Sequence, residues 1–125
     1  MIDISEVFFS IQGEGANTGK AAVFIRLYGC NLHCSFCDTR HAVDSKQIRT
    51  MEPPDVADLA RKCNALCQYA CITGGEPLIQ EDGMWELAID LKERGFKYIS
   101  CETNGTIFPN LSVLNAIDHW TVSPK

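Results

Sequence analysis

A chain of 125 residues and 13.9 kDa is expected to be one domain, residues 1–125, long enough for a single buried core and too short for two. With 46% apolar and 22% charged residues it has the balance of an ordinary globular protein, which excludes a disordered or low-complexity chain. A net charge of -5, with eleven scattered Lys and Arg residues, argues against nucleic-acid binding, which needs clustered cations, and favours a small-molecule partner.

The opening residues, MIDISEVFFSIQ, carry Asp3 and Glu6 and no basic segment, unlike a secretory leader. No apolar run approaches the roughly 20 residues of a membrane span, so a cytoplasmic protein without a membrane partner is expected. AAVFIRLYG (21–29) is an apolar, β-branched run closed by Gly29 and predicts a buried strand. PPDVADLARKCNALCQ (53–68) places Val56, Leu59, Ala60, Cys63, Leu66 and Cys67 on one face of an amphipathic helix that opens on prolines and Asp55. YACITGG (69–75) predicts a second strand. DGMWELAIDLKERG (82–95) predicts a second helix, with Met84, Leu87, Ala88 and Leu91 inward and Gly95 as its stop. YISCETNG (98–105) predicts a third strand, Asn110 caps a short helix through Leu111, Leu114 and Ile117, and HWTVSPK (119–125) predicts a fourth strand.

Strands alternating with helices in this way predict an α/β fold with a parallel sheet. Ligands of such sheets sit at the C-terminal strand ends. CNLHCSFCDT, TGGEP, ETNGT and SPK each fall at the C-terminal end of one of the four predicted strands, so the four motifs should share a rim, the natural place for an active site.

Cys30, Cys34 and Cys37 are spaced C-x3-C-x2-C. Iron–sulfur clusters usually take four cysteines, so three would leave one iron open for chemistry. The rival readings are a zinc site completed by His41 and three buried thiols. Phe36 supplies an apolar shield that suits a cluster. Seven cysteines, an odd and uneven set, fit reduced thiols better than a disulfide framework. Cys63, Cys67, Cys71 and Cys101 read as core thiols, and His33 and His119 as structural. GEGANTGK has the wrong glycine spacing for a phosphate loop, and Ala21 stands where Ser or Thr must follow Lys20.

CNLHCSFCD resembles the cluster loop of the radical S-adenosylmethionine superfamily, and ITGGEP its glycine-rich segment, where backbone approaches the cofactor. The combination of FFSIQGEGANTGKAAVFIRLYGCNLHCSFCDT, TGGEPL, ETNGT and SPK is similar to the 7-carboxy-7-deazaguanine synthase family. That resemblance implies a partial (β/α) barrel: this chain would be the N-terminal four-strand portion of an incomplete (β/α)6 radical SAM barrel, with a parallel edge left open. It implies a 4Fe–4S cluster on Cys30, Cys34 and Cys37, with S-adenosylmethionine on the open iron. Phe36, Cys37, Asp38, Gly75, Ser123, Pro124 and Lys125 would contact that cofactor. Gln12, Gly13, Glu14, Arg26 and Thr73 would hold a pterin substrate, and Thr39 would ligate Mg²⁺.

Chemistry agrees with these roles, because a carboxylate such as Glu14 accepts hydrogen bonds from a 2-amino-pyrimidinone edge and a guanidinium such as Arg26 binds a carboxylate bidentately. The plain alternatives are a surface ion pair for Glu14 and Arg26 and an ordinary loop threonine for Thr39. Glu76 and Glu102 match partners of the cofactor's amine and ribose more loosely, and no residue stands out as a general base. The implied reaction is ring contraction of 6-carboxy-5,6,7,8-tetrahydropterin to 7-carboxy-7-deazaguanine with loss of ammonia, on the route to queuosine and other deazapurines. An electron donor such as flavodoxin and a homodimer are implied as partners. Another small radical enzyme, such as a glycyl-radical activase, or a non-enzymatic zinc-binding domain are the alternatives.

Overall fold

The computed structural model describes residues 1–13, 15, 18–29 and 48–124. Its elements run β1 (Ile2–Ile11), β2 (Ala21–Leu27), β3 (Arg49–Met51), α1 (Pro53–Cys63), β4 (Tyr69–Gly74), a 3-10 turn (Pro77–Gln80), α2 (Glu81–Glu93), β5 (Tyr98–Thr103), α3 (Leu111–Ala116) and β6 (His119–Val122). One sheet carries six strands in the order β3-β1-β2-β4-β5-β6. Strands β2, β4, β5 and β6 are parallel, as the βα alternation predicted. The sheet is nevertheless mixed, because β1 pairs antiparallel with both β2 and β3 on one edge.

The antiparallel edge was hidden in the sequence by a bulge. Ile4 lies opposite Leu27 and Glu6 opposite Arg26, so Ser5 is an extra residue that reverses which side chains face which way. Ile2 and Ile4 are fully buried on one face, whereas Phe8 packs on the opposite face with Phe24. No single alternation therefore runs through MIDISEVFFSI.

All three helices bury their apolar sides on the first of these faces. The core joins Ile2, Ile4, Val23, Ile25 and Leu27 to Ile72, Ile99 and Cys101 from the sheet, and to Val56, Ala60, Met84, Leu87, Leu91 and Val113 from the helices. The four inward residues expected of the second helix, Met84, Leu87, Ala88 and Leu91, are all at 0% exposure. That helix ends in a Schellman-type turn, with Gly95 at φ 92° and Phe96 N donating to Leu91 O at 3.1 Å. Asn110 caps α3 as expected, its Oδ1 accepting from Val113 N at 2.9 Å. The face of α3 differs from expectation: Val113 and Ile117 are buried, while Leu111 is 70% exposed.

Helix α1 stops at Cys63, five residues before the predicted end at 68. Asn64 Oδ1 accepts from Leu66 N and Cys67 N, both at 3.0 Å, and so offers the backbone a turn in place of the next helical bonds. The Arg61 guanidinium then satisfies the loop carbonyls of Asn64, Ala65 and Cys67 at 3.1, 3.1 and 2.9 Å while stacking 3.9 Å from the Phe96 ring centroid. Cys63 and Leu66 consequently face solvent and Cys67 is half-buried. The core-thiol expectation holds for Cys71 and Cys101 and is corrected for Cys63 and Cys67. Among the described residues no helix is long and apolar enough to cross a membrane.

Candidate active site

The face of the sheet opposite the helices carries a different set of side chains. Parallel registry aligns Arg26 of β2 with Thr73 of β4, and Glu102 of β5 with Thr121 of β6. Thr73 Oγ1 donates to Glu102 Oε1 at 2.9 Å, which joins the two pairs into one polar row. A second row, nearer the strand starts, holds Phe24, Cys71, Ser100 and His119. Phe8 extends it onto β1, its ring stacked on Phe24 at 5.2 Å.

Arg26 is anchored at the edge of the polar row. Its Nε donates to Glu6 Oε1 at 2.8 Å, and its guanidinium lies 5.5 Å from the Phe8 ring centroid. The bulge at Ser5 is what turns Glu6 and Phe8 toward it. A pairing of Arg26 with Glu14 falls outside the described residues; the carboxylate that the structure shows on Arg26 is Glu6, a partner the sequence did not suggest.

The β1–β2 connection crosses this open face. Gln12 N donates to Lys20 O and Gly19 N to Gln12 O, both at 2.8 Å, closing the base of the connection. The Gln12 side chain turns inward, 5% exposed, and Nε2 donates to Cys71 Sγ at 3.3 Å. Gly13 is exposed with open space around it. Gly15, at φ 75°, passes so close to β6 that a methyl group there would overlap Thr121 Oγ1 and lie 3.5 Å from His119 Nε2. Gln12 thus meets β4 and Gly15 meets β6 on the face of the sheet that carries Arg26 and Thr73.

The C-terminal rim is assembled by backbone. Gly74, at φ 145°, lets β4 run against β2, because a Cβ there would collide with the Leu27 main chain. Glu76 N then donates to Gly29 O at 2.8 Å, tying the TGGEP segment to the residue just before Cys30. Ser123 N donates to Thr103 O at 2.8 Å and holds the start of SPK beside the end of β5. Gln80 fixes the same corner from below: Oε1 accepts from Asp3 N at 2.8 Å, while Nε2 donates to Asp3 O and Tyr28 O at 2.9 and 3.1 Å. Gln80 was missed because a glutamine after PLI has no sequence signature of its own.

Glu76, loosely matched to a cofactor contact by its place in TGGEP, is bonded to the protein on the described side. It is fully buried, and its carboxylate accepts from Leu78 N at 3.0 Å, Thr103 Oγ1 at 2.8 Å and Asn104 N at 2.7 Å. It is the knot between TGGEP and ETNGT, since three donors compensate its removal from water. Glu102 remains half-buried on the open face with Thr73. On the helix side of the same strand, burial first, then the proximity of Cys71, Glu76 and Glu102, pushes the Cys101 thiol well above its ordinary range. Cys101 is thus a protonated core thiol.

Cys30, Cys34, Phe36, Cys37, Asp38, Thr39 and Lys125, with Glu14, His33 and His41, lie outside the described residues. The structure brings together the rest of the predicted set: Gln12, Gly13, Arg26 and Thr73 on the open face, and Gly75, Ser123 and Pro124 on the rim. Among the described residues no group of three His, Cys, Asp or Glu side chains could hold a metal ion.

Residues 24–120 match the family model of the radical SAM superfamily. The chain belongs to that superfamily. Among curated relatives, it is 45% identical over 104 residues to 7-carboxy-7-deazaguanine synthase from Methanospirillum hungatei, covering 83% of this chain and 42% of the relative. It is 41% identical over 125 residues to the synthase of that name from Bacteroides thetaiotaomicron, covering 100% of this chain and 62% of the relative. The crystal structure of QueE from Escherichia coli shares the fold with a TM-score of 0.75 at 29% identity, over 99% of this chain and 60% of that one. This chain thus spans from 42% to 62% of the length of the curated relatives it matches.

Membership of the radical SAM superfamily implies a 4Fe–4S cluster and S-adenosylmethionine. At the described rim the end of β2 is clamped to the glycine segment, Glu76 N donating to Gly29 O, with Gly75 beside the end of β2 where main chain is open to a ligand's approach. The sheet, four parallel strands with an added antiparallel edge, is the expected portion of a radical SAM barrel.

Proposed function

We propose that this chain is the N-terminal portion of a 7-carboxy-7-deazaguanine synthase and takes part in ring contraction of 6-carboxy-5,6,7,8-tetrahydropterin with release of ammonia. The observation that carries this reading is the placement of Gln12 and Gly15 on the open face: Gln12 rests on Cys71 and Gly15 against Thr121, on the same face of the sheet as Arg26, Thr73 and Glu102. The names of the curated relatives support it.

In this reading Cys30, Cys34 and Cys37 hold the cluster, and Phe36, Cys37, Asp38, Gly75, Ser123, Pro124 and Lys125 bind S-adenosylmethionine. Bound there and reduced, the pair supplies a 5′-deoxyadenosyl radical able to take hydrogen from carbon. The chain's own residues then aim the substrate. Gln12, Gly13 and Glu14 take the polar edge of the pterin, Arg26 binds its carboxylate, and Thr73, already oriented by Glu102, contacts the ring. Thr39 contributes to a Mg²⁺ site completed by waters and substrate oxygens. A flavodoxin-type electron donor, a homodimer and a cytoplasmic setting belong to the same reading.

Anaerobic reconstitution followed by incubation with carboxytetrahydropterin, S-adenosylmethionine, Mg²⁺ and dithionite tests it. The expected result is a brown protein that forms 7-carboxy-7-deazaguanine, with product lost in Arg26→Gln. A protein that cleaves S-adenosylmethionine yet neither binds nor consumes the pterin refutes the substrate assignment. A colourless protein with stoichiometric zinc refutes the radical chemistry itself.

A further inference from the structure

The proposed substrate segment is exposed at Gly13, yet its position is set from beneath by a residue that no substrate would reach. Cys71 is fully buried in the middle of β4, between Phe24 and Ser100 in the lower row. Its sulfur accepts from Gln12 Nε2 at 3.3 Å across 59 residues of sequence separation. Gln12 itself is 5% exposed, so its side chain points into the sheet while its backbone closes the β1–β2 connection. In the same connection Lys20 Nζ donates to the Tyr69 hydroxyl of β4 at 3.4 Å, and Gly15 packs against Thr121 and His119 on β6. Among the described residues the connection is thus held over β4 by side-chain bonds and meets β6 by a close approach.

We propose that Cys71 is a positioning residue: through Gln12 it sets the placement of the backbone at Gln12 and Gly13 on the open face and thereby the affinity for the pterin. The proposal rests on the substrate reading above. A thiol is a soft acceptor, and at this site its size matters as much as its lone pairs. Oxygen at the same position preserves the acceptor, whereas a methyl group removes both the acceptor and the volume on which the amide rests. Gln12 in turn covers the sulfur, so each of the two residues reports on the other.

The first test needs no activity. The reconstituted protein and its Gln12→Ala variant are treated with N-ethylmaleimide, and modified cysteines are located by peptide mass spectrometry. Cys71 labelling should rise at least about tenfold in Gln12→Ala, the size of effect expected when one buried contact is lost, while Cys101 stays unlabelled. Equal Cys71 labelling in both proteins overturns the anchor.

The second test compares Cys71→Ala and Cys71→Ser by pterin affinity and by S-adenosylmethionine cleavage without pterin. Cys71→Ala should weaken pterin binding by a factor of about ten, with cleavage unchanged, and Cys71→Ser should restore most of the affinity. Equal losses in both variants, or a loss of cleavage in step with melting temperature, overturn the positioning role. A wild-type protein that shows the labelling contrast but binds no pterin upholds the anchor and overturns its link to the substrate, which separates this proposal from the one on which it rests.

Discussion

The two faces of the same sheet follow opposite rules. On the helix side, Ile25, Leu27, Ile72, Ile99 and Cys101 are fully buried and make almost nothing but apolar contacts. On the other side, one residue away along the same strands, Arg26, Thr73 and Glu102 form a polar row, and only Ala22, Phe24 and Cys71 make a small buried cluster with Phe8 and Tyr69. Because side chains alternate along a strand, stability and recognition are separated by parity alone. Neighbours in sequence such as Ile72 and Thr73 therefore belong to different problems.

That contrast can be broken or sharpened by experiment. The largest effect belongs to the helix side: Leu87→Ala should cost about 3 kcal/mol in a urea unfolding titration, since α2 cannot collapse onto the hole it leaves. A cost below about 1 kcal/mol would mean that the helix side is loosely packed. Next comes Thr73→Val on the open side, which deletes the bond to Glu102 at nearly constant volume. It should cost only about 1 kcal/mol of stability while weakening pterin binding severalfold in a fluorescence titration. A stability loss as large as that of Leu87→Ala would show that the two faces are not separable.

The smallest effect is a pH dependence. The Cys101 thiol is raised in the folded chain above its ordinary value of 9.0, so the folded state keeps the proton that the unfolded state releases. This contribution is intact below pH 9.0 and is lost progressively as pH climbs from there toward the folded value. Urea midpoints of Cys101→Val should fall less steeply than wild type above that pH; parallel slopes would place the titrating group elsewhere.

How far the fold could be read from sequence follows the same division. The second helix was legible because Met84, Leu87, Ala88 and Leu91 repeat at helical spacing with Gly95 as stop, and packing used that pattern unchanged. Strand β1 was not, since the extra residue at Ser5 divides its alternation into two short pieces of opposite phase. The end of α1 was obscured by a long-range act: Arg61, itself a good helix former, turns its side chain onto the carbonyls of the following loop. In the site, the strand-end motifs fall on the rim, and Gln12, Arg26 and Thr73 lie on one face of the sheet. The sequence could not say which acid is enclosed by the protein and which stays half-buried on the open face. Glu76 and Glu102 both stand beside glycine-rich or asparagine-rich turns, yet only the first is enclosed by three backbone and hydroxyl donors.

The bulge in β1 has one more consequence. Upstream of Ser5 the strand serves the core through Ile2 and Ile4, and downstream it serves the open face through Glu6, which steadies Arg26. Deleting Ser5 would leave the composition of the strand almost untouched while turning one half inside out, sending either the isoleucines to the open face or Glu6 and Phe8 to the helices. In this strand the count of residues carries more meaning than their identity: most single substitutions are local, but any change of length is a change of allegiance for half of the strand.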